Sequence, residues 1–310
     1  MVARLVRESF TCDAMVLNGA IGRRDCYADQ LATMLISKRP GAPPIVVADA
    51  TWDRGRDRLR HSFRKRCIGA MDGAQLTYCV LSSDEVDRFP QTWGVGMGRV
   101  RFTPFYYTFK DADVDAPGST DGGVFAGGEP LRDYGLLVEA ARQVSAPVRL
   151  ATRQVSPDTH PALPQNVTAG RVQHTEFVEL TRSASVVAVP LKTDTERSAG
   201  QQTYLNAMAM GKLVVVTDAP GVRDYVEDGQ TGLIVPPDAS AIANTLSWAL
   251  DPEHQSEVVT IGQRARDVVR ERFTAARYAH DLLAITSAAV DESPASLASG
   301  TRPDEREHAS

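Results

Sequence analysis

Ser198, Gly200, Gln201, Gln202 and Thr203 place hydroxyls, carboxamides and one conformationally free glycine within six residues, at the head of a helical pattern. That grouping suits an anion. The first turn of a helix carries unpaired N–H groups, and its dipole favours negative charge there. Ser198 with Gln201 three residues later has the form of a capping box. Leu205, Met208 and Ala209 recur at i, i+3 and i+4 as a buried stripe, and Gly211 supplies the left-handed residue that ends the helix. Leu213 to Thr217 is then a continuous apolar, β-branched run, as expected for a strand buried on both faces of a parallel sheet. Open α/β sheets hold phosphate where a helix starts beside the carboxyl ends of such strands. Residues 198 to 203 are therefore the candidate phosphate site. Gly200 admits a ligand close to the backbone, and Gln201, Gln202 and Thr203 supply polar groups. The same residues also fit a well-capped helix with no ligand.

The elements that must position this stretch follow one rhythm along the chain. Asp13 to Gly19 reads as a strand and turn, and Asp25 to Ser37 as a helix with Leu31, Met34 and Leu35 inward. Pro44 to Asp49 is a second buried strand, Arg56 to Ala70 a helix, Gln75 to Ser82 a third strand, Ser83 to Phe89 a serine-capped helix, and Val100 to Tyr106 closes the region. Lys110 to Asp121 has no apolar face and the composition of a linker. Beyond it come a strand at Val124 to Ala126, a turn at Gly127-Gly128, and a helix from Arg132 to Val144. Val148 to Ala151 and Ser185 to Pro190 are further strands, with a helix from Glu176 to Ser183 between them. After the central stretch come an Asp238-capped helix and two more, Glu253 to Arg272 and Thr274 to Ala288. Strands alternating with helices predict an α/β chain with parallel, doubly wound sheets.

At 310 residues and 43% hydrophobic composition, the chain can fill two cores of ordinary size. A net charge of −5 argues against a general nucleic-acid binder. No window approaches a membrane span, and the N-terminal residues lack the apolar core of a leader, so a cytoplasmic location is expected. Cys12, Cys26, Cys67 and Cys79 have neither CxxC spacing nor paired histidines nearby, which predicts free thiols and no metal site. Gly94, Gly96 and Gly98 form GVGMG, but no strand precedes them and no helix follows, so they read as a loop.

Asn206-Ala207-Met208-Ala209-Met210-Gly211-Lys212-Leu213-Val214-Val215, followed by Pro220-Gly221, Gly229, Gly232 and Val235-Pro236-Pro237, resembles the C-terminal domain of glycosyltransferase family 4. The usual form there is an acidic loop, a helix reading EAMAxGxPVV, a strand, and a PGxxxxxxxGxxGxxVPP run. A weaker likeness extends from about Asp13 to Ile285. The resemblance implies a GT-B fold of two Rossmann-like domains with parallel sheets and a long C-terminal helix. On this chain it gives a shortened N-terminal acceptor-side domain over 1–109, a linker over 110–121, a nucleotide-sugar-binding domain over 122–289, and a disordered tail over 290–310. Either the acceptor domain is reduced or the sequence begins inside it.

The resemblance also implies an activity: retaining transfer of a sugar from a UDP- or GDP-linked donor to an acceptor in polysaccharide, glycolipid or envelope synthesis. No tightly bound cofactor, metal or covalent protein nucleophile is implied. Gly127 and Gly128 lie in the segment that resembles the family's strand–Gly–Arg loop; Gly128 falls where the family usually has its arginine, and Arg132 falls at a phosphate-binding lysine. Guanidinium is permanently charged and can hold two phosphate oxygens together. The loop glutamates that meet the donor sugar and its ribose fall at Ser198 and Asn206, and Glu196 is the carboxylate nearest the lost one. Asp49 stands where the first domain often has a catalytic histidine. Loss of both loop glutamates leaves room for a binding or scaffold protein without turnover, and a sugar-nucleotide epimerase shares the two-domain fold.

One further segment stands apart. Between residues 53 and 68, Arg54, Arg56, Arg58, Arg60, Arg64, Lys65 and Arg66 face only Asp53 and Asp57, while Leu59, Phe63 and Cys67 recur every four residues with Ile68 beside them. An apolar stripe flanked by arginines fits a helix packed on its own sheet with solvated arginines, and also a helix lying on an anionic membrane surface.

Overall fold

The computed structural model describes residues 1–19, 24–54, 57–118, 120, 122–156 and 162–293. Arg56 and most of the C-terminal tail lie outside them, and no side chain is described over 24–28. The chain makes two compact units and visits each more than once. One comprises Met1–Val80, Val86–Thr103 and the residues from His280 on; the other comprises Leu81–Glu85 and Pro104–Ala279.

In the first unit α1 (Val2–Glu8), β1 (Met15–Asn18), α2 (Arg24–Ile36), β2 (Ile45–Ala48), α3 (Arg58–Met71), β3 (Leu76–Val80), α4 (Ser83–Trp93, its first turn in the other unit) and β4 (Val100–Phe102) follow in order. The strands form a parallel sheet ordered β1-β2-β3-β4. All four residues of β2 are buried, as the apolar run IVVA requires of a strand covered on both faces. Trp52 closes the core against Phe89 and Trp93, with ring centroids 5.3 and 5.9 Å away, and its Nε1 donates to the Gly19 carbonyl. The inward stripe expected of α2 is corrected by the structure. Ala32, Thr33 and Ile36 are buried, while Leu31, Met34 and Leu35 are exposed. Packing against the sheet selects the neighbouring face, which carries the smaller Ala32 and Thr33 with Ile36. On α3, capped by Asp57 accepting from the Leu59 and Arg60 amides, Ile68 and Met71 turn into the core.

The second unit carries α5 (Asp111–Asp115), β5 (Val124–Gly127), α6 (Tyr134–Ala141), β6 (Val148–Ala151), β7 (Val167–Gly170), α7 (His174–Ser183), β8 (Val186–Val189), α8 (Gln201–Ala209), β9 (Leu213–Thr217), β10 (Leu233–Val235), α9 (Ala239–Leu250), α10 (Gln255–Arg272) and the start of α11 (Ala275–Asp291), which belongs to the first unit from His280 on. Its parallel sheet is ordered β10-β9-β8-β5-β6-β7. The chain therefore runs outward from β5 through β6 to β7, crosses to the other side of β5, and runs outward again through β8, β9 and β10. The reversal lies between β5 and β8, and open α/β sheets bind ligands beyond the carboxyl ends of strands at such a point. Strand β7 was not anticipated, because VTAG is short and its Gly170 reads as a turn. The expected linker also folds: Val114 is buried within α5, and Asp115 accepts from Arg266 and Arg270 of α10.

Helix α8 ends as its sequence predicts, with Gly211 left-handed at φ 72° and its amide donating to the Met208 carbonyl. Helix α10 crosses that end through Gly262, where an added Cβ would lie 2.2 Å from the Gly211 carbonyl oxygen. Gly262→Ala should therefore lower the unfolding free energy by about 1–3 kcal/mol, read from the urea midpoint. Gly135→Ala, whose Cβ would meet nothing closer than 3.5 Å, is the control and should be neutral or stabilising.

Candidate functional site

At the reversal between β5 and β8 the chain leaves β5 through Gly127 and Gly128. Gly128 takes φ 105°, a conformation that side chains with a Cβ rarely adopt. An added Cβ there would stand 2.9 Å from an Arg132 nitrogen and 3.3 Å from Thr203 Oγ1, so the glycine makes room for both. The backbone then turns through Leu131 at φ 54°, and Arg132 bridges to Leu191, the second residue beyond β8. The expected helix from 132 begins two residues later, at Tyr134, because Asp133 caps it by accepting from the Leu136 amide.

Arg132 is only 3% exposed. One terminal nitrogen donates to the Pro130 carbonyl at 2.9 Å and the other to Thr203 Oγ1 at 3.0 Å; Nε has no partner, and the guanidinium forms no ion pair among the described residues. Burial pushes its pKa below the ordinary arginine value; Arg197 acts in the same sense, while Tyr134, Tyr204 and the Glu129 carboxylate oppose it. A buried cation without an ion-paired counter-charge is costly, and a bound anion would relieve that cost.

Helix α8 starts differently from the expected capping box. Its N-cap is Gly200, left-handed at φ 94°, and no side chain caps it. Ser198 Oγ instead donates to Glu85 Oε2 at 2.7 Å and accepts from Gln201 Nε2 at 2.6 Å. The Thr203 and Tyr204 amides donate to the Gly200 carbonyl, while those of Gly200, Gln201 and Gln202 carry no hydrogen bond among the described residues. Three open amides thus stand at the helix end, beside the residue that holds Arg132. Thr203 itself is engaged: its hydroxyl receives Arg132 and donates to the Gly127 carbonyl at 3.4 Å, so it orients the guanidinium. Gln202 Nε2 donates to Thr108 Oγ1.

Asn206 is 1% exposed, and the chain itself uses its amide. Oδ1 accepts from the Thr108 and Phe109 amides at 2.6 and 3.0 Å, and Nδ2 donates to Thr108 Oγ1 at 3.1 Å. The expected ribose contact thus meets a side chain with both acceptor lone pairs already taken. Asp49 lies in the first unit, directly after β2, with φ 52°. Gly127, Gly128, Arg132, Gly200 and Thr203 come together in the second unit, with Ser198, Gln201 and Gln202 around the helix start.

Sequence reasoning missed Glu85, which is 2% exposed and accepts from Ser82 Oγ at 3.0 Å as well as from Ser198. Burial pushes its carboxyl pKa up, and the Ser198 and Ser82 hydrogen bonds oppose that rise. Its short segment is fastened to the loop after β9: the Ser83 amide and hydroxyl donate to Asp224, the Gly221 amide donates to Asp84, and Tyr225 Oη donates to the Leu81 carbonyl. No local signal marks Glu85, because its partner Ser198 is 113 residues away.

Residues 125–251 match the family model described as Glycosyl transferases group 1, a span that contains Gly127, Gly128, Arg132 and all of α8. Among solved structures the chain is similar to a glycosyltransferase from Rickettsia africae, at 13% identity and TM-score 0.66 over 94% of this chain and 81% of that one. It is also similar to HepE of Anabaena in complex with UDP and glucose, at 16% identity and TM-score 0.69 over 93% and 81%. A sucrose-phosphate synthase from Thermosynechococcus elongatus aligns at 19% identity and TM-score 0.68 over 94% and 77%. No curated protein sequence matches the chain. These neighbours show the fold, which is GT-B, and the likeness to Glycosyl transferases group 1 rests on the matched span.

The bonds made by Asn206 carry a direct consequence for stability. Asn206→Leu strands two backbone amides and removes one of the two donors to the Thr108 hydroxyl, so unfolding free energy should fall by about 2–4 kcal/mol in urea titration. A variant as stable as the wild type would release Asn206 from this internal role.

Proposed function

We propose that the chain is a retaining glycosyltransferase of the family 4 type, moving a sugar from a nucleoside-diphosphate donor, UDP- or GDP-linked, to an acceptor. The observation that carries this reading is the buried Arg132 guanidinium, which has no anionic partner and an unpaired Nε, beside three open amides at the start of α8. Cation and amides together suit a diphosphate. In transfer the bond from the sugar's anomeric carbon to the diphosphate oxygen breaks and its electron pair leaves with the diphosphate. The acceptor oxygen bonds the same carbon on the same face, and its proton passes to the departing diphosphate oxygen. The charge that grows on the leaving group is what Arg132 and the Gly200, Gln201 and Gln202 amides are placed to stabilise. Fixed donors in a low-dielectric site are worth more than the same groups in water, and losing one commonly costs about 3 kcal/mol. The UDP bound by the Anabaena neighbour is in keeping with such a donor. Asp49, on its left-handed backbone beyond β2, is the proposed acceptor-side group.

The acceptor reading has its own support in the first unit. No helix among the described residues is long and apolar enough to cross a membrane. On α3, however, Leu59 is 83% and Phe63 71% exposed, so the stripe does not pack on its own sheet at that end. Exposed Leu31 and Met34 of α2 line one groove with Arg64 and Cys67 of α3. An apolar face rimmed by arginines supports peripheral contact with an anionic membrane through residues 53–68, where a lipid-linked acceptor would reside. Each cation near such a surface contributes about 1 kcal/mol.

Arg132→Ala should lower transfer by about a hundredfold or more and abolish the thermal shift given by UDP or GDP, whereas full activity would move the site elsewhere. Vesicles containing anionic lipid should co-sediment the protein at low salt, and neutral vesicles should not. Leu59→Ser with Phe63→Ser should remove that binding; equal sedimentation with both lipids would leave a soluble acceptor.

A further inference from the structure

The Glu85 cluster is not used by the diphosphate site and has a direction of its own. Ser82 and Ser198 both donate to one oxygen of Glu85, at 3.0 and 2.7 Å, in a pocket that leaves the carboxyl 2% exposed. A hydroxyl has one proton to give. With the Ser198 proton committed to Glu85, its oxygen accepts from Gln201 Nε2 at 2.6 Å. The Gln201 amide is thereby held with its nitrogen towards Ser198, and its carbonyl oxygen receives no hydrogen bond among the described residues. Gly221 fixes the two serines from the other side: at φ 77°, a Cβ there would lie 2.5 Å from the Ser82 Cβ and 2.7 Å from the Ser198 Cβ. The loop at Gly221 thus packs closely on the Cβ atoms of both serines. Gln201 is also the first residue of α8, next to the open amides.

We propose that Glu85 is a positioning residue which, through Ser198, orients Gln201 so that its carboxamide oxygen accepts a hydroxyl of the donor's sugar. The carboxylate that the loop lacks at position 198 is supplied from position 85, one hydroxyl further back. This rests on the donor reading above and assigns a sugar-recognising side chain within the same site.

The test compares affinities for UDP with UDP-glucose and for GDP with GDP-mannose by calorimetry. In the wild type the sugar should strengthen binding for at least one pair. Glu85→Leu and Gln201→Ala should each reduce that advantage by about fivefold, the worth of one neutral hydrogen bond. Glu85→Gln should keep it, because a carboxamide oxygen can accept the same two hydroxyls. A helix start that is only structural would alter nucleoside diphosphate and nucleotide sugar alike and leave the ratio unchanged. An unchanged ratio in Gln201→Ala overturns the inference even if Glu85→Leu fails to fold. A wild type that binds the diphosphates without gain from either sugar overturns it while leaving the donor site standing. Failure to bind any of the four overturns both.

Discussion

A guanidinium held away from water with no carboxylate against it sets the terms for the second unit. Such a group survives only where the surrounding chain over-determines its position, and the elements near Arg132 do so from several directions. The adjacency of β5 and β8 brings Leu191 to pair with it. Gly128 vacates the volume beside it, Leu131 accepts a left-handed backbone to aim it, and Thr203 reaches from α8 to receive it. Tyr134 Oη donates to the Gly128 carbonyl and holds the turn closed. These contacts supply hydrogen bonds but no negative charge, which leaves the electrostatic demand open for a ligand.

The start of α8 answers the same demand by what it withholds. A serine cap would have consumed one of the free amides. With Gly200 left-handed at the N-cap and Ser198 drawn towards Glu85, the first turn keeps its N–H groups open and loses the stabilisation of a side-chain cap. Asn206, deeper in the helix, ties residues 108 and 109 to α8. The site is therefore uncapped where a ligand would bind and tightly bonded one turn further in. An anion would restore the missing cap.

Much of this was legible from the amino acids. Uninterrupted apolar runs such as Ile45–Ala48 and Leu213–Thr217 dictate strands buried on both faces, and these need helices on either side; the α/β class follows from that constraint. Gly211 and the Asp238 cap mark helix ends through local backbone chemistry alone, and both stand in the structure as the sequence predicts. Gly127-Gly128 followed by Arg132 stands out in the sequence as a candidate, and the structure brings Gly128, Arg132 and Thr203 together.

Tertiary structure decided the rest, wherever a residue's partner is distant in sequence. Ser198 has the spacing of a cap, yet a carboxylate arriving from position 85 forms the competing bond. Asn206 reads as a free polar group until residues 108 and 109 fold onto it. The inward face of α2 was set by the fit of Ala32 and Ile36 against the sheet, not by the size of Leu31 and Leu35. Periodicity and capping act within a few residues and can be read from order alone. Hydrogen-bond competition and packing depend on groups that only the completed fold brings within reach.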